Sequence, residues 1–523
     1  MYSVIIMCGI FACLNASPSH TIQSLQAGFD SIRHRGPDHS ILIHIPTTPH
    51  IAGFHRLAIN DLSAKGNQPL CHPFYPHIQL ICNGEIYNHE ELAKIYNFKP
   101  SSGSDCEIIL HMYQRFGIQR TVRELDGYFA FVLFDDQEVY VVRDPIGVRS
   151  LYMGFKESQI FIASELKAIH PYCQTVAPFP HGQIWNNQTK TSEPYTTVYS
   201  QVQHDEYHTA MQTTRTLLEE AVKKRIRNTE RPLGCLLSGG LDSSLITALV
   251  CQFSDKPVHT FSIGMTGSTD LFYARMVAEA LHTIHHEVIV TPEEMIAAIP
   301  DVVRQIESYD TTTVRASTPM YLLCKYIATQ TDIRVILSGE GSDELSGSYR
   351  YFQNAPTPNE FRDETIRLTD HLQFFDVLRC DKSTAAHGLE VRVPFLDQEF
   401  LQYYLHIDPK YKFFKNYECE KYLLRDAFRG ILPDEALWRK KEAFSDGVST
   451  TQRSWYQIIQ DHVATLSLPE ISWNVNPPVL KETLWYRTIF DEAYPNRANI
   501  LPYYWLPKWC GDVVDPSARV LTV

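Results

Sequence analysis

The sequence predicts two fold classes in succession: an α+β part up to about residue 190, then an α/β part with a parallel sheet and a mainly helical end. Three observations predict it. Short β-like runs broken by Gly, Asp, Asn and Pro clusters fill the first part, and a stretch rich in Pro, Asn, Gln, Thr and Ser follows at 178–204. Beyond that stretch, helices alternate with apolar strands. At 523 residues and roughly 150 residues per domain, two to four domains are expected.

The first fourteen residues, MYSVIIMCGIFACL, are apolar, but no Lys or Arg precedes Arg33, so a signal-peptide core is disfavoured. They also fall short of the roughly 20 residues that a bilayer span needs. A buried strand is predicted instead. Further strands are read at 41–45, 77–82, 128–134, 138–142 and 159–163, with helices at about 19–33, 88–95 and 105–117. The stretch 178–204 reads as a domain end and linker. Leu217, Leu218, Ala221, Val222 and Ile226 then mark one helix face, and Lys223, Lys224, Arg225 and Arg227 its wet side. Strands at 233–237, 258–263, 286–290 and 333–337 alternate with helices at 243–253, 270–281, 292–308 and 318–329. That order predicts a parallel sheet with helices on both faces. Residues 360–510 read as mainly helical, and no internal repeat is found.

Hydrophobic residues at 44% and charged residues at 20% are those of a globular chain and argue against disorder. Lys plus Arg number 47 against 60 Asp plus Glu, a net charge of −13 that disfavours nucleic-acid binding. The twelve cysteines include no Cys-x-x-Cys pair, so no zinc ribbon or redox motif is signalled. Scattered thiols and the lack of a long uncharged apolar run predict a cytoplasmic protein without a membrane span.

The sharpest motif is Leu236-Leu237-Ser238-Gly239-Gly240-Leu241-Asp242-Ser243-Ser244, where a strand ends and a helix begins. Glycines allow a tight turn whose N–H groups converge on an anion at the helix N-terminus. The hydroxyls of Ser238, Ser243 and Ser244 can donate to phosphate oxygens, and Asp242 can hold Mg²⁺ between them. The P-loop lysine is absent. Ser-Gly-Gly-x-Asp-Ser arises by chance in such a chain with a probability of roughly 10⁻³. The motif is the signature of the PP-loop ATP pyrophosphatases, a resemblance that implies cleavage of ATP to AMP and pyrophosphate. A second strand end, Ile336-Leu337-Ser338-Gly339-Glu340-Gly341-Ser342-Asp343-Glu344, supports it, since ligands bind outside the carboxyl ends of parallel strands.

At the other end of the chain stands Met7-Cys8-Gly9-Ile10-Phe11. With His34-Arg35-Gly36-Pro37-Asp38, His55-Arg56-Leu57-Ala58-Ile59, Asn83-Gly84-Glu85-Ile86-Tyr87-Asn88 and Ser102-Gly103-Ser104-Asp105, it resembles a class II glutamine amidotransferase domain. The resemblance implies an Ntn-hydrolase-like sandwich in which the cysteine is the first residue and its own α-amine takes the thiol proton. Carried over, Cys8 attacks the glutamine amide, and Asn83 and Gly84 form the oxyanion hole. Arg56 binds the α-carboxylate, with Glu85 and Asp105 on the α-ammonium. One departure matters: seven residues, MYSVIIM, precede Cys8 and place its nitrogen in a peptide bond. Three readings stay open. Translation starts at Met7, the extension is cut off, or the glutaminase is silent and ammonia is the nitrogen source.

The pairing of the two parts resembles the glutamine-hydrolysing asparagine synthetases from about residue 7 to 520. It is carried by Tyr309-Asp-Thr-Thr-Thr-Val-Arg-Ala-Ser-Thr-Pro319, Gly388-Leu-Glu-Val-Arg-Val-Pro-Phe-Leu-Asp397, Lys441-Glu-Ala-Phe-Ser-Asp-Gly447 and Asp515-Pro-Ser-Ala-Arg519. This implies a glutaminase domain at 8–190 and an ATP-binding PP-loop synthetase domain at 205–515. Aspartate, glutamine and ATP are the implied substrates, Mg²⁺ a cofactor, and a homodimer the assembly. Lys441, with Lys382, is implied where pyrophosphate leaves, and Glu340 as the carboxylate that orients or deprotonates the attacking ammonia. Asp242 and Asp343 are implied as metal ligands. Leu237, Ile263, Gly339 and Tyr349 are implied around the nucleotide, and Ser338 beside the phosphates. Arg392 is either structural or reads aspartate.

Overall fold

The computed structural model describes residues 8–17, 20–196, 202–469, 471–519 and 521. The extension ahead of Cys8 lies outside them. Contacts divide the chain into two compact units. The first takes the described residues up to Thr196 together with Asn228–Pro232 and Thr384–Glu390, and the second takes the other described residues.

The first unit holds two six-stranded sheets. One runs in the order Thr175–Pro178, Tyr152–Lys156, Gln159–Ala163, Gly9–Leu14, Ile51–Arg56, His39–His44. The other runs Thr191–Pro194, Gln183–Asn186, Glu138–Arg143, Gly127–Asp135, Ile78–Ile86, Leu70–Cys71. Strand alternation explains the long apolar runs. Ile81, Val132 and Phe134 face Ile10, Leu14 and Phe54 of the other sheet. Their neighbours Leu80, Phe131 and Leu133 turn to a helix layer and meet Ile108, Ile109 and Met112. Both faces of the central strands are therefore buried. The predicted strand at the start of the chain is Gly9–Leu14, wholly buried.

The stretch 178–204, read from the sequence as a domain end and linker, lies outside the described residues at 197–201. It carries Gln183–Asn186 and Thr191–Pro194, paired antiparallel with each other and onto Glu138–Arg143. Thr191–Pro194 is an edge strand exposed throughout, so no apolar alternation betrays it.

The second unit centres on a five-stranded sheet in the order Ile284–Ile289, His259–Gly264, Leu233–Leu236, Val335–Leu337, Glu390–Arg392. The first four strands run parallel. Leu233–Leu236 is flanked by its successor on one side and by the much later Val335–Leu337 on the other. Its carboxyl end is thus a topological switch point, where a crevice opens. Glu390–Arg392, three residues long, is too short for any periodicity to announce. The basic run on the helix Tyr207–Arg227 is only partly a wet face. Arg225 is buried, donating to Asp397 at 2.8 Å and to the Ala221 carbonyl at 2.9 Å, whereas Lys223 pairs with Glu220. All twelve cysteines are free thiols, and no described helix is long and apolar enough to cross a membrane.

Candidate functional site

In the first unit, Gly9 stands opposite His55 across the ladder, which brings Cys8 to the Arg56 end of the neighbouring strand. The Cys8 thiol lies 3.3 Å from the Leu57 N–H and 3.4 Å from the Leu57 carbonyl. Burial pushes it up to about 12, against the pull of that backbone contact. A thiol so held needs a base. Asn83 and Glu85 alternate onto the inter-sheet face of Ile78–Ile86, both nearly fully buried. The Asn83 side-chain amide nitrogen finds no hydrogen-bond partner among the described residues, an open donor of the kind an oxyanion requires. At Gly84 any Cβ would fall 2.2 Å from the Tyr128 carbonyl oxygen, so the strands can close only on glycine.

Asn60 donates to Glu85 at 2.9 Å, and Asn228 donates to the same carboxylate at 3.0 Å. Asp105 accepts the Ile86 N–H at 2.6 Å, and burial raises its carboxyl. Arg56 departs from the simple expectation. Nη1 is engaged by the Ser63 carbonyl at 2.6 Å and by Asn67 at 2.8 Å, and Nη2 by the Asp61 and Asn60 carbonyls. A bidentate hold on a carboxylate requires the 60–67 loop to release this fork.

In the second unit two loops meet at the switch point. The first, after Leu233–Leu236, turns at Gly239, whose φ of +71° and a would-be Cβ 2.4 Å from the Ala274 nitrogen admit only glycine. The Ser238 and Ser243 hydroxyls stand 3.1 Å apart, and Gly240 caps the helix Leu241–Phe253. The second loop follows Val335–Leu337. Ser342 donates to Asp242 at 2.7 Å, bonding the two loops directly.

Lys421 binds them more tightly still: its ammonium lies 2.6 Å from Asp242 and 2.6 Å from Asp343. Lys441 donates to the other Asp343 oxygen at 2.5 Å and lies 3.9 Å from Asp242. Burial alone would raise the Asp343 carboxyl, but the two ammoniums hold it far below the carboxylate range. Lys441 is in turn held above its ordinary value by Asp343 and Asp242, against burial. Two carboxylates converging on one cationic point form a donor set that suits a hard divalent ion.

Glu340 accepts from Arg379 at 2.7 Å, and Arg379 also donates to Asp376 at 2.8 Å. Burial raises Glu340 while Arg379 opposes the rise. Leu237, Ser238, Gly240, Asp242, Ser243, Ile263, Ser338, Gly339, Glu340, Asp343, Tyr349 and Lys441 all line one cavity.

Three predicted residues stand away from it. Lys382 is fully buried with its ammonium on Glu307, so it is a core ion pair and not a phosphate contact. Ser244 is sealed in the first turn of its helix, and Gly239 backs onto Tyr273 and Ala274. Arg392 resolves to a structural role, since it is fully buried with Nη1 on the Arg225 carbonyl.

Sequence reasoning missed Lys421, Arg379 and Arg439. Lys421 lies in Glu418-Cys-Glu-Lys-Tyr-Leu-Leu-Arg425, which has no phosphate-loop character. Its one oddity, a φ of +57°, is visible only in the fold. Arg439 donates to the Ser238 carbonyl at 3.2 Å and to Asp270 at 2.8 Å, and burial pushes Asp270 up to about 6.

A family model described as asparagine synthase matches residues 213–374 and 353–509, and one described as a glutamine amidotransferase domain matches 7–217. The glutamine-hydrolysing asparagine synthetases of Mus musculus and Bos taurus are each 42% identical to the chain, over 99% of it and 99% of their own length. That of Homo sapiens is 41% identical over the same shares. The chain belongs to the glutamine-hydrolysing asparagine synthetases. The Cys8 site falls in the amidotransferase match and the Asp242–Asp343 cavity in the synthase match.

Proposed function

We propose that the chain makes asparagine from aspartate with ATP and glutamine, residues 8–190 acting as the glutaminase and 205–515 as the synthetase. The observation that carries this reading is the convergence of Asp242 and Asp343, from two different strand ends, on Lys421 and Lys441 within one cavity. An aspartate β-carboxylate oxygen attacks the α-phosphorus of ATP, and the bond to pyrophosphate breaks, giving β-aspartyl-AMP. Negative charge grows on the departing pyrophosphate, where the Lys441 and Lys421 ammoniums and the Ser238 and Ser243 hydroxyls can meet it. Asp242 and Asp343 would hold Mg²⁺, whose charge offsets that of the phosphates. Ammonia then attacks the activated carbonyl and AMP leaves. Glu340, with a raised carboxyl, is suited to take the proton that ammonia sheds.

At the other site the Cys8 sulfur attacks the glutamine amide carbon, and the Asn83 amide meets the oxyanion. Ammonia departs, and water hydrolyses the thioester to glutamate. Burial keeps the Cys8 thiol protonated at rest, and the α-amine of a chain beginning at Cys8 would take its proton as the sulfur attacks. Arg56 takes the substrate α-carboxylate once the 60–67 loop releases it, and Glu85 and Asp105 take the ammonium. A cytoplasmic location and a homodimer complete the reading.

The test is product analysis with aspartate, Mg²⁺, ATP and glutamine. Asparagine, glutamate, AMP and pyrophosphate in equal amounts support the reading. ADP and phosphate in place of AMP and pyrophosphate would sink it.

A further inference from the structure

Lys441 lies in a stretch, 439–443, that belongs to no helix or strand, so no backbone ladder fixes where its ammonium points. Asp343 and Asp242 hold its ammonium end, and the backbone it springs from is held by side chains that converge on the next residue. One oxygen of Glu442 accepts from Thr269 at 2.6 Å and from Arg439 at 3.3 Å. The other accepts from Arg519 at 2.5 Å. Arg519 goes on to the Asp446 carbonyl at 3.0 Å and the Thr450 carbonyl at 2.9 Å, so one guanidinium spans the whole 442–450 segment.

The base from which Arg519 reaches is rigid. Asp515 receives two bonds from Arg315 at 2.8 and 3.0 Å and one from Gln460 at 2.9 Å. Arg315 is itself buried and also bonded to Glu482. Between the two anchors, Ser517 donates to Asp446 at 3.2 Å.

We propose that Arg519 is a positioning residue for the synthetase reaction: through Glu442 it locks the segment that aims Lys441 at the departing pyrophosphate. The inference rests on the reading of Lys441 as the pyrophosphate contact. Arg519 itself touches no reacting atom. Its contribution is geometric, and a misplacement of about 1 Å at a reacting centre costs on the order of 10²-fold in rate.

The experiment is aspartate-dependent exchange of labelled pyrophosphate into ATP by the full chain. Arg519→Ala lowers the exchange rate about 10²-fold with KM for ATP unmoved, because the contact matters as charge leaves and not on binding. Arg519→Lys, which keeps the Glu442 ion pair, regains most of the rate. Glu442→Gln shows a similar loss, and combining it with Arg519→Ala adds little further. Wild-type exchange in Arg519→Ala overturns the inference. So does a loss that tracks a lowered melting temperature and is not regained by Arg519→Lys. Undiminished exchange in Lys441→Ala brings down the underlying reading, and the inference with it, whereas loss in Lys441→Ala alone brings down only the role of Arg519.

Discussion

Gly339 and Asp242 touch backbone to backbone: a Cβ on Gly339 would lie 2.8 Å from the Asp242 carbonyl carbon. The contact joins two loops nearly a hundred residues apart into one wall of the synthetase cavity. Gly339→Ala must push them apart, and with them Asp242 from Asp343. Overpacking of this kind costs about 1–3 kcal/mol in stability. The aspartate-dependent pyrophosphate exchange should fall by about 10²-fold, whereas glutamine hydrolysis, measured as glutamate release, should be unchanged.

Lys421→Ala removes the cation shared by Asp242 and Asp343 and leaves Lys441, on Asp343, as the nearest remaining positive charge. A broken buried ion pair costs about 3 kcal/mol. The melting temperature should fall accordingly, and added Mg²⁺ should raise it more in the variant than in the parent, because the exposed carboxylates gain a counter-ion. Equal Mg²⁺ responses would argue against a metal role for this pair.

His55 supplies a pH dependence whose sign is fixed. Its ring is buried between the Ser40 hydroxyl at 2.8 Å and the Phe29 carbonyl at 2.9 Å, and burial lowers its pKa to about 4. In the unfolded chain it titrates near 6.5, so below that pH the unfolded state binds the extra proton. Its contribution is complete above about 6.5 and lost as pH falls toward about 4. Urea unfolding should give a first unit about 2 kcal/mol less stable at about pH 5 than at about pH 7 through this group. His55→Gln should remove that part of the slope.

Cys8→Ala should abolish glutamine-dependent synthesis and leave ammonium-dependent synthesis intact, since the variant removes the nucleophile and nothing in the second unit. A chain engineered to begin at Cys8 should use glutamine, and one that retains the seven preceding residues should use ammonium alone. Intact mass of the purified protein identifies which form is at hand.

Much of this was legible in the residues. Strand alternation and the Ser-Gly-Gly-x-Asp-Ser turn placed the two fold classes and the glycine-hinged loop at the switch point, because both are local patterns in which a few neighbouring residues carry the whole signal. The strand Thr191–Pro194 within 178–204 was not legible, because an exposed edge strand has no buried face to impose a pattern. Lys382 was misjudged because sequence position on the helix Asp376–Ala385 does not say which way an ammonium turns, and here it turns inward to Glu307.

By itself, then, the sequence determined the chemistry available: a thiol ahead of a buried strand, a glycine-hinged anion loop, and acidic groups at a second strand end. Only the tertiary structure decided which cations serve that chemistry. Lys421 reaches Asp242 across 179 positions and Asp343 across 78, and Arg519 reaches Glu442 across 77. Such pairings follow from where parallel strands end and how the chain returns to them. That is a property of the packed sheet, and no window of neighbouring residues contains it.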